Sequence, residues 1–315
     1  IGIGSGSVVY LFLAGEFGLI TMVPSYIIGV IFPLVTSFYI MLALLEDSGY
    51  LPRIAVLADK MLSRFGLNGR AVIPLIMGFG CVTMGTLTTR VLTSKRERMI
   101  TTALMAIAVP CTAQTAAIAA MMGKTPLVYS AIFVAFLLLV FALVGTVLNK
   151  VMPGQSTDLL IDMPPLRAPR AKNVWDKTYH KVLGFMKEIV LFFAAGSIII
   201  VTLQVTGALQ WIITAASPLV VGWLGLPAKT ATAFVMGFIR RDFAAAGFFS
   251  MNLTNAQLLV SMATITLFVP CIATAVVVLK ERGVAYFVAL FITATTLAFT
   301  LGGLLMHGLR IVGLT

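Results

Sequence analysis

Apolar residues in this chain run in blocks rather than recurring every second or every third to fourth position. Near-continuous apolar blocks cover about 24–45, 99–122, 125–149, 183–206, 256–279 and 284–308. Each approaches the roughly 20 residues a helix needs to cross a bilayer. Two further blocks are apolar but broken. Residues 71–89, AVIPLIMGFGCVTMGTLTT, contain Pro74, Gly78, Gly80 and Gly85, and residues 228–249 are Gly-rich. Residues 1–23 are Gly-rich and only loosely apolar, and 150–181 form a polar connector with Pro153, Pro164, Pro165 and Pro169. Near the end of that connector Trp175, Tyr179, Val182 and Met186 fall at helical spacing. This predicts an interfacial helix that feeds the next span. The pattern predicts an all-α polytopic membrane protein.

Composition agrees. The 315 residues are 60% hydrophobic and 10% charged, whereas a soluble domain carries about 25% charged residues. The net charge of +11 raises nucleic acid as a partner. In a membrane chain the excess of Lys and Arg in cytoplasmic loops accounts for it, and the expected surroundings are a lipid bilayer. The chain opens on IGIGSGS, without a starting Met or a basic leader. The expectation is an internal start, with 1–23 an incomplete, extracytoplasmic segment and no signal peptide.

Basic residues flank 71–89 on both sides: Arg53, Lys60, Arg64 and Arg70 before it, Arg90, Lys95, Arg96 and Arg98 after it. Both flanks are then cytoplasmic, and the block is predicted to be re-entrant, broken at Gly78-Phe79-Gly80. Broken backbone at that depth is tolerated only where protein or a watery cavity satisfies it. Continuing the alternation, 228–249 is re-entrant from the opposite side. Most of the 22 Lys and Arg residues then fall on one face.

The two halves carry the same landmarks in the same order. Gly66-Leu67 returns as Gly225-Leu226, Met77-Gly78-Phe79 as Met236-Gly237-Phe238, and Val109-Pro110-Cys111 as Val269-Pro270-Cys271. The predicted topology runs the two VPC-bearing spans in opposite directions, so the repeat is inverted. Inverted repeats with discontinuous segments place a substrate site near the midplane, between the halves.

Candidate chemistry sits at the breaks. Each VPC unit sets a proline before a cysteine inside a span, where the proline removes a donor and opens the helix. Thiols beside freed carbonyls suit a soft or borderline metal, and Fe(II) accepts both sulfur and carboxylate. Cys81, Cys111 and Cys271 are therefore candidate metal ligands, with Met77 and Met236 as further sulfur. Each single cysteine reads equally well as a small packing residue. The 3 cysteines are odd in number and form no CxxC pair, which argues against a disulfide framework or zinc knuckle. Arg240-Arg241-Asp242 places charge in an apolar block; either Arg and Asp pair to hold the hairpin or Asp242 attracts a cation. Glu46 and Asp47 end a span and either cap it or pair with Arg53, or form a cytoplasmic exit for a cation. No GxxxxGK[ST], HExxH or GxSxG occurs, so no catalytic or nucleotide-binding residue is predicted in this chain.

The motifs LLEDSGYLPR (44–53), NGRAVIPLIMGFGC (68–81), TLTTR (86–90), VPC (109–111), DMPPLRAPR (162–170), GFIRRDFAAAG (237–247) and LFVPCIAT (267–274) closely resemble the membrane domain of the ferrous iron transport protein B family. They run in order over most of 24–283. The pattern departs from many relatives after Cys81, where GFGCVTMG lacks their Asn and Pro. The resemblance implies two Gate-type repeats, 24–149 and 182–283, around the connector 150–181, with a C-terminal membrane helix at 284–315. It implies Fe2+ as transported substrate, Cys81, Cys111 and Cys271 on its path, and the bacterial inner membrane. It further implies an N-terminal GTPase domain, which would bring GTP and Mg2+ and is not in this sequence, and a small SH3-like accessory protein. A homo-oligomer is compatible with it. Competing expectations are a permease for another divalent metal or for nucleosides, and a membrane-embedded thiol enzyme, which needs a base near a cysteine.

Overall fold

The computed structural model describes residues 24, 27–123, 125–152, 167–239, 241–249, 251, 253–268 and 271–313. Calls on 1–23 and on Arg240 fall outside them. The described residues are helical almost throughout, with no strand among them. A π-turn, Ile27–Ile31, leads into α1, Phe32–Asp47. The first half continues with α2 (Tyr50–Leu62), α3 (Val72–Gly80), α4 (Val82–Thr88), α5 (Lys95–Ala108), α6 (Thr112–Met122) and α7 (Leu127–Val151). The second half contains α8 (Ala171–Val205), α9 (Ala208–Gly222), α10 (Lys229–Ile239), α11 (Arg241–Phe249), α12 (Asn255–Leu267), α13 (Ile272–Arg282) and α14 (Val284–Val312).

The chain separates into two compact units, residues 1–56 with 160–211 and residues 57–159 with 212–315. In the first unit α1 packs along α8. Val174, Thr178, Val182 and Phe185 form the buried stripe of α8, while Trp175 and Tyr179 are exposed. No break separates the amphipathic stretch from the apolar one: residues 171–205 are one helix. The connector expected to end at 181 is thus helical from 171 onward.

In the second unit two segments are broken where the sequence placed its prolines. Helices α5 and α6 occupy one apolar stretch, Lys95–Met122, interrupted at 109–111. Val109 is extended (φ −106°, ψ 114°), because a residue before proline is driven out of the α region. Helices α12 and α13 repeat this arrangement over Asn255–Arg282. The two helical hairpins, α3–α4 and α10–α11, have arms of 9, 7, 11 and 9 residues. None of these arms reaches the roughly 20 residues of a crossing.

The packing is reciprocal. Helix α4 of the first hairpin lies on α13 of the second half, α11 of the second hairpin lies on α6 of the first, and α5 meets α12. Each long flanking helix, α7 and α14, contacts both α5 and α12. Such an exchange is what two halves related by a twofold rotation give. Helix α14 holds in the second half the place of α7 in the first. The broken helices are the most enclosed, whereas α7 and α14 expose Val134, Leu138, Leu139, Val288, Ile292 and Leu304. An apolar surface of that extent marks a lipid-facing wall.

Candidate metal pathway at the helix breaks

The first hairpin turns at Cys81, whose extended backbone (φ −151°, ψ 121°) both ends α3 and starts α4. Its amide donates to the Met77 carbonyl at 2.8 Å and its carbonyl accepts from Gly85 N at 2.9 Å. The break therefore lies at the cysteine, not at Gly78-Phe79-Gly80. The glycines serve close packing instead. A Cβ on Gly78 would stand 2.7 Å from Met105 Sδ, and one on Gly85 would stand 2.6 Å from Met105 Sδ and 2.8 Å from the Pro74 carbonyl. In the second half Gly237 fills the place of Gly78, against Ile265 and Ala244.

Cys111 and Cys271 are the N-cap residues of α6 and α13, both extended. Their carbonyls accept from Thr115 N at 2.8 Å and Ala275 N at 2.9 Å. A helix N-terminus favours negative charge. Two side-chain links draw these caps to the hairpin. Thr112 Oγ1 donates to the carbonyls of Phe79 and Gly80, 3.0 Å each, which sets Cys111 beside the turn at Cys81. Thr83 and Thr274 share a buried hydrogen bond of 3.0 Å between hydroxyls, and Thr274 lies 3.3 Å from Cys271 Sγ. All three cysteines are outside any disulfide and half-buried, and Cys81 is near enough to Cys111 and Cys271 for their charges to interact.

Nearness is not convergence. Among the described residues no three His, Cys, Asp or Glu side chains come together closely enough to hold one ion. Met77 is buried in α3 and Met236 half-buried in α10. Asp242 lies in α11, and its side chain falls outside the described residues, as does the expected Arg240–Asp242 pair. Glu46 and Asp47 sit in the first unit. Glu46 pairs with Lys181 at 2.9 Å and Lys177 at 3.4 Å, and Asp47 with Lys177 at 3.5 Å; Asp47 also accepts from Arg170 N at 3.0 Å. Their recorded partners are these lysines of α8 and not Arg53. His307 is held by the Gly303 carbonyl at 2.8 Å and stacks on Trp223, and the ring of His180 packs on Tyr179.

The charged triplet takes a more specific form in the structure than the sequence reading gave it. Arg241, the first residue of α11, is buried, and its Nη2 donates to the carbonyls of Ala106 at 2.6 Å and Phe268 at 3.2 Å. The RRD triplet identified the charge but not which arginine turns inward. Gln114, one turn from Cys111, reaches Thr266 Oγ1 with its Nε2 at 3.0 Å and ties α6 to α12.

The Gate family model, described as nucleoside recognition, matches residues 28–125 and 186–285. The model described as ferrous iron transport protein B C terminus matches residues 131–181. The chain belongs to the ferrous iron transport protein B family. Each Gate match of this family member contains one hairpin and one broken helix. Proteins named Fe(2+) transporter FeoB are similar to it. That of Staphylococcus aureus (strain COL) is 34% identical over 196 residues, 60% of this chain and 29% of the relative. That of Helicobacter pylori (strain ATCC 700392 / 26695) is 34% identical over 174 residues, 53% of this chain and 27% of the relative. That of Methanocaldococcus jannaschii is 24% identical over 291 residues, 81% of this chain and 43% of the relative. The chain thus spans less than half the length of these curated relatives. No solved structure matches it.

Proposed function

We propose that this chain is the permease region of a ferrous-iron uptake transporter of the bacterial inner membrane. The observation that carries the reading is the placement of three thiols at three helix breaks, two of them at helix N-caps. Fe2+ reaches a membrane protein wrapped in water. Thiolates and opened backbone carbonyls replace part of that shell with ligands of suitable softness. Because the thiols do not converge into a closed site, they act in sequence along a path, each holding the ion weakly enough to release it. Met77 and Met236 belong to this reading as auxiliary sulfur, Asp242 as an attracting charge, and Glu46 and Asp47 as an exit that Lys177 and Lys181 partly neutralise. The whole transporter would add a GTPase domain, supplied with GTP and Mg2+, and a small SH3-like accessory protein.

The names of the similar proteins favour iron, while the description of the Gate model keeps a nucleoside in the comparison. Uptake by the intact protein in vesicles, with Fe(II), Mn(II), Zn(II) and a nucleoside side by side, decides between them. Fe(II) should accumulate fastest, and nucleoside uptake without metal uptake would overturn the reading. Cys111→Ser and Cys271→Ser should each lower Fe(II) uptake with folded protein still in the membrane, and Cys→Ala should do at least as much. A packing role predicts the reverse order, since a buried Ser needs a partner that Ala does not. Undiminished uptake by the Cys111→Ala/Cys271→Ala protein would remove the thiols from the path.

A further inference from the structure

Two helices stop at the same place, and one guanidinium joins them. Helices α5 and α12 end at Ala108 and Leu267. The end of an α-helix leaves four carbonyls without an intrahelical donor and carries about half a negative charge. Into this junction projects Arg241, only 4% exposed, donating to Ala106 O and Phe268 O. It thus bridges a carbonyl of each half. Cys111 and Cys271 lie within its electrostatic reach.

The repeat shows that the hairpin does not need this charge. Arg241 opens α11, and the residue that opens α4 in the first half is Val82. The same turn into the same kind of short helix is built there with an apolar side chain. The arginine answers to the junction. Two helix ends together amount to about one negative charge, which offsets one buried cation that would otherwise be costly to hold. A place that satisfies a guanidinium through carbonyl oxygens, helix ends and nearby thiols has the chemistry of a site for a free cation.

We propose that Arg241 is a tethered cation occupying the ion position at the junction of the two broken helices, so that the conformation described here is self-blocked and an ion advances only when the guanidinium withdraws. This rests on the reading of the chain as a cation permease, and it adds a residue that excludes ions from the resting path. A free monovalent ion competes poorly against a tethered guanidinium whose Nη2 already holds both carbonyls. A divalent ion that also gains thiolate ligands competes better.

The test uses the intact transporter in proteoliposomes, with passive K+ and Fe(II) flux measured without nucleotide. Arg241→Gln should raise the leak by about tenfold or more, because a fixed positive barrier is gone. Added guanidinium ions should close that leak, and the wild type should respond to neither. If the arginine is only a structural pin, Arg241→Gln lowers the melting temperature, creates no leak and ignores guanidinium; that result overturns the proposal. Should the neutral variant fail to accumulate, Arg241→Val decides, since the first half carries Val82 at the matching place. A leak a few-fold above wild type and closed by guanidinium supports the proposal, and a leak-free, guanidinium-insensitive Val variant overturns it. Wild-type Fe(II) uptake is scored separately. A guanidinium-sensitive leak in Arg241→Gln without wild-type iron uptake would keep the plug and sink the iron assignment, and the opposite pair of results would do the reverse.

Discussion

Gly78 and Gly85 show how much depends on single missing methyl groups. A Cβ on Gly78 is opposed by Met105 alone, at 2.7 Å from Sδ. That thioether is the far end of a flexible side chain and can move. A Cβ on Gly85 meets Met105 Sδ but also Pro74 O at 2.8 Å and Gly78 Cα at 2.9 Å, and backbone cannot step aside. Gly85→Ala should therefore cost about 1–3 kcal/mol, in the range of overpacked cores, and Gly78→Ala less. Adding Met105→Ala should restore Gly78→Ala substantially and Gly85→Ala hardly at all. Thermal unfolding in detergent checks the order, and equal rescue of both would contradict the packing described. Residue types at these positions were legible as landmarks of a repeat. Their role was not, since glycine in an apolar run reads equally as a break or as a close approach, and only the neighbour decides. The same limit explains Arg241: a charge in an apolar block signals a buried partner, but its partners are backbone carbonyls 27 and 135 residues away in sequence, and carbonyls have no residue signature.

Among the elements, the broken helices were the most legible, because proline acts locally: it removes a donor and extends its predecessor whatever surrounds it. The spans α7 and α14 were equally plain, being unbroken apolar runs with lipid-facing residues. The hairpin turn was displaced to Cys81 because tertiary packing claimed the glycines. The amphipathic run before residue 182 merged with the following span, since a continuous stripe from Val174 to Phe185 buries against α1. One prediction belongs to this scale. Pro110→Ala supplies an amide at the break and relieves Val109, which lets α5 run on toward α6. Stability should stay level or rise, and Fe(II) uptake should fall, because Cys111 is turned away from its cap position. A transport-competent Pro110→Ala protein would show that the break itself is dispensable. At the far end of the same element, Tyr286 donates its hydroxyl to the Met99 carbonyl at 2.7 Å, Arg90 pairs with Glu281, and Arg282 reaches Thr89. Tyr286→Phe should cost about 1 kcal/mol and read out as a lower melting temperature, with the exposed Arg90 pair contributing less and weakening in salt.

For the whole molecule, on the permease reading proposed above, the reciprocal packing would make transport a matter of one half moving against the other. Thr83 and Thr274, 3.0 Å apart between hydroxyls, join α4 of the first half to α13 of the second. In a background without the three native cysteines, Thr83→Cys/Thr274→Cys should cross-link under oxidation. If the halves shift during a cycle, residual metal flux should stop on cross-linking and return with reductant. The reporter must then be flux that survives loss of the native thiols, or the same pair placed in the native background with reductant-reversible inhibition as the signal. Cross-linking without any change in flux would mean that this contact is static. Order along the chain and inversion were readable from paired landmarks, whereas the swap of partners between halves was not, since nothing in a repeat says whether a unit packs on itself or on its copy.

That swap has a consequence for the growing chain. The arms of the first hairpin are too short to cross a bilayer, and the helix that covers α4 begins at Ile272. The hydrogen bond between Thr83 and Thr274 closes a separation of 191 residues. At about 5–20 residues per second of synthesis, the first hairpin waits roughly 10–40 seconds before its partner leaves the ribosome. During that interval α4 lacks the second-half helix that covers it in the finished fold. The nascent hairpin must be kept at the insertion machinery or at the aqueous interface until the second half arrives. Nascent chains stalled before Ile272 should therefore expose an introduced cysteine at Thr83 to aqueous reagents, and chains stalled after Arg282 has entered the membrane should protect it.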